Sequence, residues 1–266
     1  MNPGPARTPT GRSHSISATL PAKLYRIVVR TLQIVRFYHA RNEKYGALLL
    51  RLIGPSARAG QFVVDLGCGP GGITSKLSGP YTVLGLDKDR YPLLHFFNPG
   101  IPRVQARAER LPFKDDSIDV VVAISLVEHV PDQRGFFFEV ARVLKAGGQG
   151  IVQVPNLRHP IEPHTKWPFL HMWSQTFQAK VLAATGYDDL DLSTSVAKVS
   201  HLGAGSGLEV VGTLPIWHFR LAKLLGQPMG FFMVLRKPVA GSPYGPRAFR
   251  TQLDRLVSTI SDRPPS

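Results

Sequence analysis

Twelve residues constrain the fold more than any other stretch of this chain: Val63-Val64-Asp65-Leu66-Gly67-Cys68-Gly69-Pro70-Gly71-Gly72-Ile73-Thr74. Val63, Val64 and Leu66 make the β-branched and apolar run of a buried central strand. Gly67, Gly69 and Gly71 then let the backbone turn sharply and come close to a ligand with no Cβ in the way. A helix follows, so the loop is expected to offer free N–H groups at a helix N-terminus, which suits a carboxylate or phosphate. Asp65, two residues before Gly67, adds a condition. An anion there does nothing for a phosphate but favours a ligand that also carries an ammonium or other positive charge. Glycines at this spacing are by themselves a weak signal.

Two further stretches sharpen it. Tyr81-Thr82-Val83-Leu84-Gly85-Leu86-Asp87 reads as a second strand ending in an acid, and Asp87 lies 20 residues after Gly67. That is the distance at which a strand-end acid reaches ribose hydroxyls in a βαβ unit. Ala108-Glu109-Arg110-Leu111-Pro112-Phe113 leads into a third apolar strand, Ser117-Ile118-Asp119-Val120-Val121-Val122. Taken together, residues 60 to 156 resemble the class I S-adenosylmethionine-dependent methyltransferases. The resemblance implies that Asp65, Gly67, Cys68, Gly69 and Gly71 hold the methionine end of S-adenosylmethionine. It implies that Asp87, with Lys88 beside it, holds the ribose. Ala108 and Glu109 then border the adenine, and Ser125 lies at the same edge. The alternative, a βαβ unit for NAD, leaves both the acid and the Ala-Glu-x-Leu-Pro-Phe stretch without a purpose. One position departs from the family. Where an acid commonly precedes the Ala-Glu pair, this chain has Arg107, which cannot accept a hydrogen bond from the adenine amino group. The expectation is that Glu109 takes over or that the cofactor binds more weakly.

Strands alternate with helices, which implies an α/β, Rossmann-like, doubly wound and mostly parallel sheet, seven-stranded by the resemblance. Ligands on such a sheet bind beyond the carboxyl ends of the strands. The remaining expectations are a strand over 101–106, a helix from Gln133 to Lys145 capped by Asp132, and a strand over 150–154. A helix over 175–186 and strands over 208–214 and 231–235 follow, with a helix over 219–225 between those two strands. The organisation read this way is a basic, disordered tail over 1–19, an N-terminal helical extension over 20–56 and a methyltransferase domain over 57–238. A C-terminal flexible tail covers 239–266. Residues 156–175 depart from a minimal domain and read as an insertion at the acceptor site.

Charge narrows the partners without choosing among them. The chain carries 32 Lys and Arg against 18 Asp and Glu, a net charge of +14. That suits RNA, an anionic membrane or an acidic substrate. No acid occurs before Glu43, and Lys23, Arg26, Arg30 and Arg41 fall opposite the apolar face of Leu24, Tyr25, Val28, Leu32 and Val35. Such a helix can lie on an anionic membrane, or it can cap the substrate side of the fold with its charges in water. The single cysteine, Cys68, excludes an internal disulfide. With no secretory signal and no apolar run long enough to span a bilayer, the expected location is cytoplasmic, with membrane association through the basic helix. An acid-free start bearing arginine and serine also matches a mitochondrial transit peptide, the alternative location.

Methyl transfer from a sulfonium is an in-line displacement, and a base is needed only where the nucleophile must lose a proton. His129, after the fourth strand, is the base candidate. Glu128-His129-Val130-Pro131-Asp132 resembles quinone-pathway O-methyltransferases, some of which use an upstream acid in this loop for a metal. That position is Ser125 here, so no metal is expected. In the insertion, Pro160, Pro163 and Pro168 limit backbone freedom. Trp167, Phe169 and Trp173 are expected to form an apolar wall, and His159, Glu162 and His164 to be polar anchors, with Glu162 and His164 as further catalytic candidates. The expected function is methyl transfer to an apolar small-molecule or lipid-like acceptor. The alternatives are an RNA methyltransferase and a cofactor-binding protein without turnover.

Overall fold

The computed structural model describes residues 39–54, 60–217 and 226–239. The chain falls into two units, Met1–Arg41 and Asn42–Ser266. Everything that follows concerns the second. The basic tail, the basic helix up to residue 38, the helix expected over 219–225 and the tail from residue 240 lie outside the described residues.

In the second unit, residues 42–53 are helical (α1). The elements after it are β1 (Phe62–Leu66), α2 (Gly72–Leu77), β2 (Thr82–Asp87), α3 (Arg90–Leu94), β3 (Arg103–Gln105) and β4 (Ile118–Ala123). Then come α4 (Gln133–Val143), β5 (Leu144–Pro155), α5 (Gln175–Thr185), α6 (Val196–Gly205), β6 (Glu209–Ile216) and β7 (Gly230–Arg236). The strands form one seven-stranded sheet in the order β3-β2-β1-β4-β5-β7-β6. β1 to β5 run parallel, and β7 is antiparallel to both β5 and β6.

The sequence of the strands explains why the sheet is covered on both faces. β1 buries Val63 and Val64 on opposite sides, and β4 does the same with Val120, Val121 and Val122. Continuous apolar runs of this kind belong to parallel strands covered by helices above and below. One face packs Val64, Val121 and Val152 against Phe136, Phe137 and Val140 of α4 and Val199 of α6. The other packs Val63, Val122 and Ile151 against Ile73 and Leu77 of α2 and Tyr45, Leu49, Leu52 and Ile53 of α1. Those α1 residues recur at helical spacing, so the helix turns a single apolar stripe to the sheet. Tyr45 meets Phe232 of β7 edge to face with ring centroids 5.2 Å apart.

Several elements differ from the sequence expectation. β3 is shorter, because Ile101 leaves the strand to pack with Cys68, Leu93 and Phe96. α4 stops at Val143 and β5 begins at once. The helix α6 was not foreseen. Its glycines argue against a helix, but Gly203 faces Leu235 of β7, where a Cβ would come within 3.5 Å of that side chain.

Candidate active site

The strand order reverses between β1 and β4, and the crevice at such a switch point is where open α/β sheets bind ligands. A cleft of about 320 Å³ opens there, the size of a small-molecule site. It is lined by Gly67 from the loop after β1, by Asp87 and Lys88 at the end of β2, and by Ala108 and Glu109 after β3. Ser125 and His129 line it from the segment after β4. Seven of the sequence-predicted site residues therefore meet in one cleft.

The glycine loop is built differently from expectation. The N–H groups of Gly67, Cys68, Gly69 and Gly71 already have protein partners. Those of Gly67 and Cys68 both donate to the Leu86 carbonyl, at 2.8 and 3.0 Å, and that of Gly71 donates to the Cys68 carbonyl at 3.0 Å. The Gly69 N–H donates to Asp87 Oδ2 at 2.8 Å. Three of these donors tie the loop to β2, and the fourth closes the loop on itself. Cys68 is a second correction. Its side chain packs with Leu93, Phe96 and Ile101 and does not line the cleft, and burial raises its thiol pKa, so it remains a thiol.

Asp65 also lies outside the lining. It is 2% exposed and accepts a hydrogen bond from Thr74 Oγ1 at 2.6 Å. Burial pushes its carboxyl up to about 7, against the Thr74 hydrogen bond and with some help from the charge of Asp87. The folded value lies above that of an unfolded aspartate, about 3.9. Asp65 therefore favours the fold below pH ~4, and this contribution is lost as pH rises to about 7. Asp65→Asn should flatten that part of the stability profile, read as melting temperature at acid and neutral pH. An unchanged profile would show that Asp65 does not titrate across this range.

Asp87 is held on both sides. Oδ2 takes the Gly69 N–H, and Oδ1 takes the Asp89 N–H at 2.9 Å. Each oxygen keeps a lone pair for a ligand hydroxyl. Asp87→Ala loses a ligand contact and the tie to the glycine loop, so cofactor affinity should fall by about 1.5–3 kcal/mol. Calorimetry returning the parent affinity would remove Asp87 from the site.

The loop after β3 is braced from α4. Arg142 donates to the carbonyls of Leu111 and Phe113 at 3.0 and 2.8 Å and to Asp115 at 2.7 Å. Glu139, held low by its hydrogen bond to Arg142, accepts the Leu111 N–H. At the front of this loop Arg107 Nη2 lies 3.2 Å from Glu109 Oε1. Arg107 thus occupies the acid that was expected to substitute for the missing one. Arg107→Asp frees Glu109 and supplies a second acceptor. We expect S-adenosylmethionine to bind at least as tightly, by up to about 1.5 kcal/mol. Weaker binding by calorimetry would show that the arginine makes a favourable contact.

After β4 the chain turns through Ser125 at φ 52°, a left-handed conformation rare outside glycine. The Ser125 hydroxyl donates to Gln153 Oε1 at 3.2 Å. Past this turn His129 Nδ1 meets Asp189 Oδ1 at 3.2 Å. Its ring lies edge-on to that of His164, with centroids 5.1 Å apart. This contact joins the cofactor cleft to the insertion after β5.

The insertion is organised by Glu162. Its carboxylate accepts the backbone N–H groups of His164 and Thr165 and meets His164 Nδ1 at 2.8 Å. Burial works against the ionised form, but these hydrogen bonds outweigh it and bring the carboxyl down to about 2. A carboxylate that acidic is a poor base at neutral pH, so Glu162 orients His164 and does not take a proton. His159 serves its own loop in the same way, with Nδ1 2.7 Å from the Ile161 carbonyl. The aromatic wall is a further correction. Trp167 meets Phe177 of α5 edge to face, Trp173 meets the same ring at a tilt, and both, with Phe169, lie on the outside, 39% to 50% exposed. None of the three lines the cleft.

Three participants were not foreseen. Tyr187 and Asp189 follow α5 and line the cleft. Glu128 is buried beside His164, with Oε1 3.8 Å from His164 Nε2. The sequence marks neither Tyr187 nor Asp189, and it offers Glu128 as the first residue of the Glu128–Asp132 stretch without a role, because each acts through a neighbour remote in the chain.

Residues 64–152 match the family model described as a methyltransferase domain. This segment is a class I S-adenosylmethionine-dependent methyltransferase domain. A probable S-adenosylmethionine-dependent methyltransferase of Mycolicibacterium smegmatis is 33% identical over 164 residues, 60% of this chain and 56% of that protein. The phthiotriol/phenolphthiotriol dimycocerosates methyltransferase of Mycobacterium tuberculosis is 38% identical over 101 residues, 34% of this chain and 36% of that protein. The chain thus spans about half the length, or less, of these relatives. Among solved structures, a phosphoethanolamine N-methyltransferase of Haemonchus contortus, solved with S-adenosylhomocysteine, superposes with a TM-score of 0.56 at 15% identity. That match covers 74% of this chain and 53% of the other, and at this identity it shows the fold. The cleft of the methyltransferase domain fits the cofactor. Asp87 offers carboxylate lone pairs at a strand end, and Glu109 supplies a second acceptor from the loop after β3. No helix among the described residues is long and apolar enough to cross a membrane.

Proposed function

We propose that this chain transfers a methyl group from S-adenosylmethionine to an apolar, lipid-like acceptor that approaches from the side of the insertion. The contact between His129 and His164 carries the reading, because it joins the cofactor cleft to the segment after β5. Apolar side chains support the choice of acceptor. Trp167, Phe169, Met172 and Trp173 stand exposed on that segment, more apolar surface than one small loop needs for its own packing. A relative named for methylating phthiotriol dimycocerosates is consistent with it.

The cofactor, when bound, supplies an electrophilic methyl on a sulfonium. Asp87 holds the ribose end, and Ala108 and Glu109 border the base. His129 faces the cleft with its tautomer set. The Asp189 carboxylate only accepts, so the proton sits on His129 Nδ1, and Nε2 keeps a lone pair for the proton of an acceptor hydroxyl. Incubating the chain with methyl-labelled S-adenosylmethionine, total lipid extract and total RNA tests the proposal. Label is expected in the lipid fraction. Label in RNA would replace this reading with the nucleic-acid one, and no transfer by a chain that binds the cofactor would overturn it.

A further inference from the structure

Glu128 is 2% exposed, and its Oε2 is buried with no hydrogen-bond partner among the described residues. A buried acid with an unmet oxygen is costly unless it takes up a proton or a cation meets it. Two imidazoles stand beside it. One donor atom each from Glu128, His129 and His164 lies within 4.8 Å of the others. His164 Nε2 is already 3.8 Å from Glu128 Oε1.

The histidines are held as metal ligands are held. His164 Nδ1 pairs with Glu162 at 2.8 Å and His129 Nδ1 with Asp189 at 3.2 Å. Each carboxylate draws the proton to Nδ1 and leaves the Nε2 lone pair free. An outer carboxylate that fixes tautomer and ring orientation is the usual support of a metal-bound histidine.

We propose that Glu128, His129 and His164 bind one divalent transition-metal ion, with zinc the best fit, between the cofactor cleft and the insertion. Two imidazoles and one carboxylate suit zinc and disfavour magnesium or calcium, which prefer oxygen alone. Zinc sits about 2.1 Å from such ligands, which sets tetrahedral donors about 3.4 Å apart. From a spacing of at most 4.8 Å, the donors need to approach one another by up to about 1.4 Å to reach it. Three protein ligands leave a fourth position for an oxygen ligand, water or an acceptor hydroxyl. Ser125, where related enzymes carry an acid, argued against a metal from the sequence. The ligand that completes this set is His164, 35 residues beyond His129 in the chain.

A metal on His129 Nε2 would occupy the lone pair that the proposed function gives to the acceptor's proton, so the base role belongs to the metal-free chain. Metal binding is measured without turnover, so it stands or falls apart from the methyl-transfer reading. Zinc is titrated into the metal-free chain against a chromogenic chelator, with S-adenosylhomocysteine binding and melting temperature as controls for folding. One zinc per chain is expected. Asp189→Asn should weaken it by about 10–100-fold, the effect of losing an outer carboxylate, and His164→Ala and Glu128→Gln by more. The cobalt-loaded parent chain should show the visible absorption of four- or five-coordinate cobalt. No stoichiometric zinc and no cobalt bands in a parent chain that binds S-adenosylhomocysteine would overturn the proposal. Unchanged zinc affinity in folded His164→Ala and Glu128→Gln would also overturn it, because the ion would then sit elsewhere.

Discussion

His129→Gln is expected to lower methyl transfer to a hydroxyl acceptor by about 10²–10⁴-fold while leaving S-adenosylhomocysteine affinity within about threefold. Glutamine keeps an amide that can donate to Asp189, so the wall of the cleft stays in place, but it cannot take up a proton. The separation of the two readouts follows from position. His129 stands at the end of the cleft that meets His164, whereas Asp87 and Glu109 come from the ends of β2 and β3. Single-turnover transfer and calorimetric binding on the same preparation give both quantities. Parent-level transfer would remove His129 from the chemistry.

Gly71→Ala is expected to cost about 2–4 kcal/mol of stability. The backbone there has φ 79°, a conformation in which any L side chain is strained by about 1–2 kcal/mol. A Cβ at Gly71 would also lie 2.2 Å from the ring of Phe96, which is 8% exposed and packed with Cys68, Leu93 and Ile101. Forcing such a ring aside adds about 1–3 kcal/mol of overpacking. The two costs overlap, because one backbone shift relieves part of each. Denaturant unfolding should show a lower midpoint with an unchanged slope. A midpoint within experimental error of the parent would mean that the loop has room it does not show.

Much of the site was legible because its residues are tied to local spacing. The run from Val63 to Thr74 had to be strand, turn and helix, and Asp87 had to end the next strand. Ala108, Glu109, Ser125 and His129 then fell at one edge of the sheet by topology alone. What escaped depended on contacts between distant segments. Spacing shows that the glycine loop has N–H groups, but the Leu86 carbonyl and Asp87 carboxylate that consume them belong to β2. Composition shows aromatics in the insertion, but Phe177 on α5 draws two of them outward. Glu162 reads as a free acid until three hydrogen bonds to the turn it organises are seen. Glu128 looks like one more residue in a short helical turn until His164 returns to it from the insertion.

Calorimetric titration of S-adenosylhomocysteine and of NAD into the parent chain tests the central claim most directly. The cleft at the β1–β4 switch point should bind one S-adenosylhomocysteine per chain, lose about 1.5–3 kcal/mol of that affinity in Asp87→Ala, and give no heat with NAD. Saturable binding of NAD, or a folded chain that binds no S-adenosylhomocysteine, would contradict it.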